Sequence, residues 1–229
     1  MTEQIQTIFN KIAPVYDELN DKLSLGQHRI WKQMTIKWTQ VQPGNIGLDL
    51  CCGSGDLTFL LARKITNSGQ TYGVDFSCNL LEMAKKRCKD YYPQPQINWL
   101  EADVLNLPFD NNYCHVVTMG YGLRNVQNIP LCLQEIYRVL KPGGKAAILD
   151  FHRPSNQYIR NIQQWYLDNC VVPLATQMGL KEEYAYISPS LDRFPRGSEQ
   201  KKIAQEIGFQ EVTHYPLANG MMGVLVVRK

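Results

Sequence analysis

The segment Leu48-Asp-Leu-Cys-Cys-Gly-Ser-Gly-Asp-Leu-Thr58 runs from an apolar stretch, through two glycines, into a helical pattern. Gly53 and Gly55 carry no Cβ and tolerate positive φ, so the chain can turn tightly there and a ligand can come close. Position 58 is Thr, so this is not G-x-G-x-x-G, and no Gly-Lys-Ser/Thr follows to make a P-loop. Taken alone, such a turn is as readily a plain strand-to-helix connection. Two carboxylates add weight. Asp75 stands 75 − 55 = 20 residues past Gly55, at the end of the next apolar run, where wound sheets place an acid for ribose hydroxyls. Asp103 follows the run after that.

Three such strand ends suit an adenosine. The loop lacks the third glycine and the basic residue that a pyrophosphate favours, and Asp56 would repel phosphate. A cationic, phosphate-free nucleoside fits better, and S-adenosylmethionine (SAM) is one.

Positioning these residues requires alternating strands and helices, and residues 46–150 supply them. Ile46–Cys51, Thr71–Asp75, Ile97–Glu101, His115–Met119 and Lys145–Asp150 read as strands. Helical patterns lie between them: Leu57–Ile65, a stretch through Leu80, Leu81, Met83 and Ala84, and Leu131–Leu140. The last is expected to stop at Lys141-Pro-Gly-Gly144 with glycine as a left-handed cap. This rhythm implies a parallel sheet covered on both faces. Residues 1–42 read as helical, with Leu23, Ile30, Trp31, Met34 and Trp38 forming one apolar face. Residues 151–199, rich in aromatics and proline, read as an insertion covering one end of the sheet. Residues 200–229 give a helix (Lys201–Ile207), a stop at Gly208, and strands Glu211–Leu217 and Gly223–Arg228 around Asn219-Gly220.

Composition bounds the rest. The chain has 229 residues, 44% of them hydrophobic, and a net charge of 24 − 21 = +3. That balance is too mild to argue for nucleic acid, which needs a clustered basic surface. Seven cysteines include no CxxC pair, so no metal cage is indicated, and free thiols suit a reducing, cytoplasmic setting. The polar N-terminus argues against a secretory signal, and no apolar run approaches the ~20 residues that span a bilayer. The expectation is a cytoplasmic protein that at most lies on a membrane surface. Oligomeric state stays open, a homodimer included.

The core resembles the class I SAM-dependent methyltransferases. Four segments sharpen this: Tyr16-Asp-Glu-Leu-Asn20, Ser24-Leu-Gly-Gln-His-Arg-Ile-Trp31, Tyr121-Gly-Leu-Arg-Asn-Val126 and Arg138-Val-Leu-Lys-Pro-Gly-Gly144. Together with Arg193-Phe-Pro195 and the terminal hairpin, they resemble the quinone C-methyltransferases of ubiquinone and menaquinone biosynthesis over nearly the whole chain. Cys51-Cys-Gly-Ser-Gly55 and Gly26–Gln33 look most like the cyanobacterial and plastid branch, which methylates 2-phytyl-1,4-naphthoquinol.

The resemblance implies one Rossmann-like α/β domain over residues 1–229, with a seven-stranded, mostly parallel sheet whose last strand is antiparallel. It implies SAM as cofactor and a lipophilic quinol as substrate. Gly53, Gly55, Thr58, Asp75, Asp103 and Val104 should line the cofactor pocket. Asp75 would take the ribose diol, Asp103 the adenine amino group, and Val104 the ring face. The plainer reading of Asp103 is a helix N-cap. Some relatives carry Ser where this chain has Gly120, so only a backbone contact is expected there.

Arg124 is expected beside the acceptor. Ring C-methylation needs electron density next to a phenolic oxygen whose proton leaves near pH ~10, by analogy with tyrosine. A fixed guanidinium would stabilise the quinolate, while staying protonated itself. Asn125 would orient the quinol oxygen and Tyr16 would close the site. His28 is equally a structural histidine or a substrate contact. Asp150 and His152 are candidate proton acceptors, and Cys51 and Cys52 read as packing. Alternatives are a demethylmenaquinol or benzoquinol acceptor, another acceptor on the same fold, and a non-catalytic cofactor-binding assembly subunit.

Overall fold

The computed structural model describes residue 24 and residues 26–229. Seven strands form one sheet: β1 (Ile46–Leu50), β2 (Gln70–Asp75), β3 (Ile97–Glu101), β4 (Cys114–Gly120), β5 (Leu140–Phe151), β6 (Glu211–Leu217) and β7 (Met222–Arg228). Their order is β3-β2-β1-β4-β5-β7-β6. The first five pair in parallel, and β7 runs antiparallel to both β5 and β6. The expected fold is therefore the one observed.

Helices cover both faces because the strands are buried on both. α2 (Asp56–Ile65) follows β1, α3 (Cys78–Cys88) follows β2, and α4 (Ile129–Val139) precedes β5. Leu48, Leu50, Val117 and Met119 of the central strands pack with Leu133 and Ile136 of α4. On another side, Leu61 and Ile65 of α2 meet Ile36. Each such side chain contributes about 1.5–3 kcal/mol by leaving water. β1 and β4 are neighbours whose connections leave toward opposite sides of the sheet, so a crevice opens at their carboxyl ends.

Two expectations need correction. Helix α1 (Gln27–Trp38) buries His28, Lys32, Thr35 and Ile36. Ile30 is 58% exposed, Trp31, Met34 and Trp38 are half-buried, and Leu23 lies outside the described residues. Apolar spacing misplaced this face because the inward side carries polar groups, of which Lys32 reaches Asp56 at the start of α2. The second concerns α4. It leaves helical geometry at Leu140 (φ −68°, ψ 137°), and the chain runs straight into β5 rather than into a left-handed cap. Gly143 (φ 79°) serves an irregularity in that strand, where the register with β4 shifts between Cys114 and Val116.

The segment 151–199 is helical: α5 (Gln157–Tyr166), a π turn at Leu167–Val171, α6 (Val172–Gln177), α7 (Lys181–Ala185) and α8 (Ile187–Arg193). Leu167, Val171, Ala175, Leu180, Tyr184 and Leu191 give it a small core, against which Phe151 of β5 packs. α9 (Gly197–Ile207) then ends at Gly208 (φ 115°) as expected, and Asn219 (φ 54°) and Gly220 (φ 85°) turn the final hairpin.

Candidate active site

After β1 the chain takes positive φ at Cys51, Gly53 and Gly55 (51°, 54° and 94°), and α2 starts at Asp56. The two glycines do different work. A Cβ on Gly53 would meet nothing within 4 Å, so that side faces open space. A Cβ on Gly55 would fall 2.9 Å from Trp99, so Gly55 serves turn geometry and packing instead.

Asp75, at the end of β2, fastens this turn. Its Oδ2 accepts from Gly53 N–H and its Oδ1 from Ser77 N–H, both at 2.9 Å. Burial raises its pKa to about 6, against the lowering by the backbone donors. Asp49, inside β1, accepts from the hydroxyls of Thr58 (2.6 Å) and Thr118 (2.8 Å). Burial again dominates and lifts its pKa to about 7.

The loop after β4 completes the crevice. Tyr121 has φ 61°, and Gly122 sits so near Cys51 that a Cβ would come within 2.6 Å of the cysteine Cβ. The result is a cleft of about 710 Å³, including its open mouth. Its walls include Lys32 of α1, Asp49, Cys51, Cys52 and Gly53, Asp56, Asp75, and Gly120, Tyr121 and Asn125.

Of the expected residues, Gly53, Asp75, Gly120 and Asn125 therefore share one cleft. Thr58 lies beneath it, its hydroxyl committed to Asp49. Asp103 is exposed, and its Oδ1 accepts from Leu105 N–H at 3.0 Å. That local turn draws the carboxylate onto its own chain, and neither Asp103 nor the core residue Val104 forms part of the cleft wall. Tyr16 lies outside the described residues.

Arg124 packs beside the cleft. Its Nη1 donates to Asp150 Oδ1 (2.8 Å), its Nε to Ser190 Oγ of α8 (3.2 Å), and its guanidinium lies 5.1 Å from the Phe151 ring centroid. Asp150 thus matches its charge. His152 is tied elsewhere: its Nδ1 is 3.1 Å from the Asp150 carbonyl, and its Nε2 is 3.0 Å from both Gln200 Nε2 and His214 Nε2. His28 is buried in α1 and is not part of the cleft wall. Cys51 and Cys52 do face the cleft, but burial pushes both thiols well above their ordinary range, which suits packing rather than nucleophilic attack.

Sequence reasoning passed over Lys32 and Asp49, and read Asp56 only as a repeller of phosphate. Asp49 left a signal, a lone acid within a buried apolar run. Lys32 left none, because its importance comes from burial. Asp56 binds both Lys32 Nζ (2.5 Å) and Arg87 Nη2 (2.7 Å). Burial works against its charge, but these two cations outweigh it and hold its pKa at about 2.

The cleft fits a cationic nucleoside on its own chemistry. Asp49 and Asp75 are carboxylates whose pKa values burial raises, so a cation placed beside them would favour their ionised forms. Asn125 Oδ1 is a buried acceptor with no hydrogen-bond partner among the described residues. The open side of Gly53 leaves room for a ligand against the backbone.

Comparison with known proteins agrees. The model of the ubiE/COQ5 methyltransferase family matches residues 1–229. The 2-phytyl-1,4-naphtoquinone methyltransferase of Nostoc punctiforme is 67% identical over 229 residues, covering 100% of both chains. The chloroplastic 2-phytyl-1,4-beta-naphthoquinone methyltransferase of Arabidopsis thaliana is 46% identical over 224 residues, 97% of this chain and 86% of that one. Among solved structures, a SAM-dependent methyltransferase from Aquifex aeolicus shares the fold at a TM-score of 0.62 and 15% identity, over 86% of this chain and 88% of that one. With its carboxylate-lined crevice at the β1–β4 switch point and a full-length family match, the chain belongs to the ubiE/COQ5 methyltransferase family and is a SAM-dependent methyltransferase.

Proposed function

We propose that this enzyme methylates a ring carbon of a prenylated naphthoquinol, with 2-phytyl-1,4-naphthoquinol as the acceptor that fits best. The observation that carries this reading is the 67% identity, across all 229 residues, to a relative named for that substrate.

Asp75, Gly53 and the backbone of Gly120 would hold SAM in the cleft, which when bound supplies an electrophilic methyl on a sulfonium. The enzyme's part is positioning and electrostatics. Asn125 Oδ1 would accept the hydrogen bond of a quinol hydroxyl, orienting the ring. Arg124 would offer fixed N–H donors to the oxygen as negative charge develops on it. Because Asp150 balances the guanidinium, that contribution is directional hydrogen bonding more than net field. Tyr16 would close the site from the N-terminal segment.

A phytylated substrate partitions into a bilayer, so the enzyme has to meet one. No helix among the described residues is long and apolar enough to cross a membrane. However, Tyr158, Ile162, Trp165 and Tyr166 of α5 recur at helical spacing and are all exposed, Trp165 at 61%. Aromatics of this kind favour the headgroup region. The reading is that α5 rests on the membrane surface.

Transfer of tritiated methyl from SAM to a panel of demethylnaphthoquinols and benzoquinols under reducing conditions tests the reaction. Highest turnover is expected with the phytylated naphthoquinol. SAM binding without transfer to any quinol would instead mark a non-catalytic assembly subunit. Flotation with liposomes tests the surface: the enzyme should rise with the vesicles, and Trp165→Glu should reduce this.

A further inference from the structure

Among the described residues that form the cleft wall, Lys32 is the one cation. It is an unusual lysine. Its side chain is 6% exposed, on a helix face that also buries His28, Thr35 and Ile36. Its Nζ donates to Asp56 Oδ2 and sits 5.7 Å from the Tyr121 ring centroid, so it stands between the glycine loop and the loop after β4. Lysine has three donors and Asp56 takes one, which leaves two for other acceptors. Asp56 has a second cation of its own in Arg87, so it does not depend on Lys32 alone.

Burying an ammonium is costly unless it has work to do. Asp56 could be served from the surface by Arg87, so the ion pair alone does not explain a lysine inside the cleft. The ligand does. SAM carries three charged groups: a sulfonium, an ammonium and a carboxylate. The carboxylates of the cleft suit the first two, and Lys32 is the cation of the described cleft wall that can meet the third.

We propose that Lys32 is the subsite for the carboxylate at the amino-acid end of SAM, its free donors binding that group while Asp56 fixes the side chain. This rests on the SAM-binding reading of the cleft. It makes α1 part of the cofactor site, so cofactor and first described helix hold each other in place.

The test compares SAM with decarboxylated SAM, which differs only in the missing carboxylate, by isothermal titration. The wild-type enzyme is expected to bind SAM at least about 10-fold more tightly, the size of a charge-assisted hydrogen bond. Lys32→Met should abolish that preference by weakening SAM alone, and Lys32→Arg should retain most of it. Equal binding of the two ligands by the wild type, or an unchanged preference in Lys32→Met, would overturn the assignment. The wild-type comparison decides the matter even where Lys32→Met fails to fold. Failure of the wild type to bind either ligand would defeat the cofactor reading itself, an outcome distinct from loss of the preference.

Discussion

Arg124 Nη1 donates to Asp150 Oδ1 at 2.8 Å, and the Arg124 main-chain N–H donates to the other oxygen of the same carboxylate at 3.0 Å. The side chains are 8% and 1% exposed, so the pair is closed off from bulk water. Removing one partner leaves the other charged and unpaired, at a cost of about 3–5 kcal/mol. In a domain of this size each kcal/mol moves Tm by about 2–4 °C. Asp150→Ala should therefore lower Tm by roughly 6–20 °C in scanning calorimetry. A Tm close to wild type would mean the pair contributes little.

Arg124→Ala is expected to cut methyl transfer by about 10-fold or more while changing the SAM dissociation constant little, since Arg124 lies outside the cleft wall. Single-turnover kinetics on a variant shown to be folded makes the measurement. Full turnover in that variant would remove Arg124 from the mechanism.

Asp75→Ala acts on the cofactor side. The carboxylate holds Gly53 N–H and Ser77 N–H, so its loss loosens the turn as well as deleting a ligand contact. SAM affinity should fall by about 10- to 100-fold, as for loss of hydrogen bonds to a charged group. Calorimetric titration showing unchanged affinity would place the cofactor elsewhere.

SAM binding should release protons. Burial raises the pKa of Asp49 to about 7 and of Asp75 to about 6, from an ordinary 3.8, so both are partly protonated near neutrality. A cation beside them favours the ionised forms and lowers both values. Affinity should rise with pH between about 5 and 7, and Asp49→Asn should remove the upper part of that rise. Titrations in buffers of different ionisation heat count the protons directly. A flat profile across that range would show that the bound cation does not act on these two carboxylates.

Without ligand, the same carboxylates and the His152–His214 pair act on stability with opposite signs. The folded state binds extra protons at Asp49 and Asp75 above 3.8, so their contribution is lost as pH rises through 6–7. Burial, and then repulsion from His152 and Lys201, lowers the pKa of His214 to about 4; burial lowers that of His152 too. Below the unfolded value of 6.5 the unfolded chain takes up protons that the folded one refuses, so this contribution is lost as pH falls toward 4. His214→Gln should raise the urea midpoint at pH ~4.5 relative to that at pH ~7. An unchanged ratio of the two midpoints would show that the pair is not acid-sensitive.

The strands, their mostly parallel pairing and the spacing of Asp75 from the glycine loop were legible in the sequence, because buried parallel strands read as apolar runs and the acid falls at a fixed distance from the glycines. What escaped notice was set by tertiary contact. Periodicity put Ile30 inside α1, yet the helix turns Lys32 inward to meet Asp56. Spacing put Asp103 with Asp75, yet a local turn folds it back on Leu105. Arg124 was foreseen at the right edge, but its neutralising partner Asp150, 26 residues away along the chain, could not be paired with it before the fold was known.

Asp56 fastens α1 through Lys32 and α3 through Arg87, with Arg87 also bonded to the carbonyl of Ser54. One carboxylate therefore works as a latch across three segments around the mouth of the cleft. α1 is thus held twice, by this ionic contact at the cleft and by the packing of Ile36 on Leu61 and Ile65. Because both partners are largely shielded from solvent, added salt should loosen that fastening little.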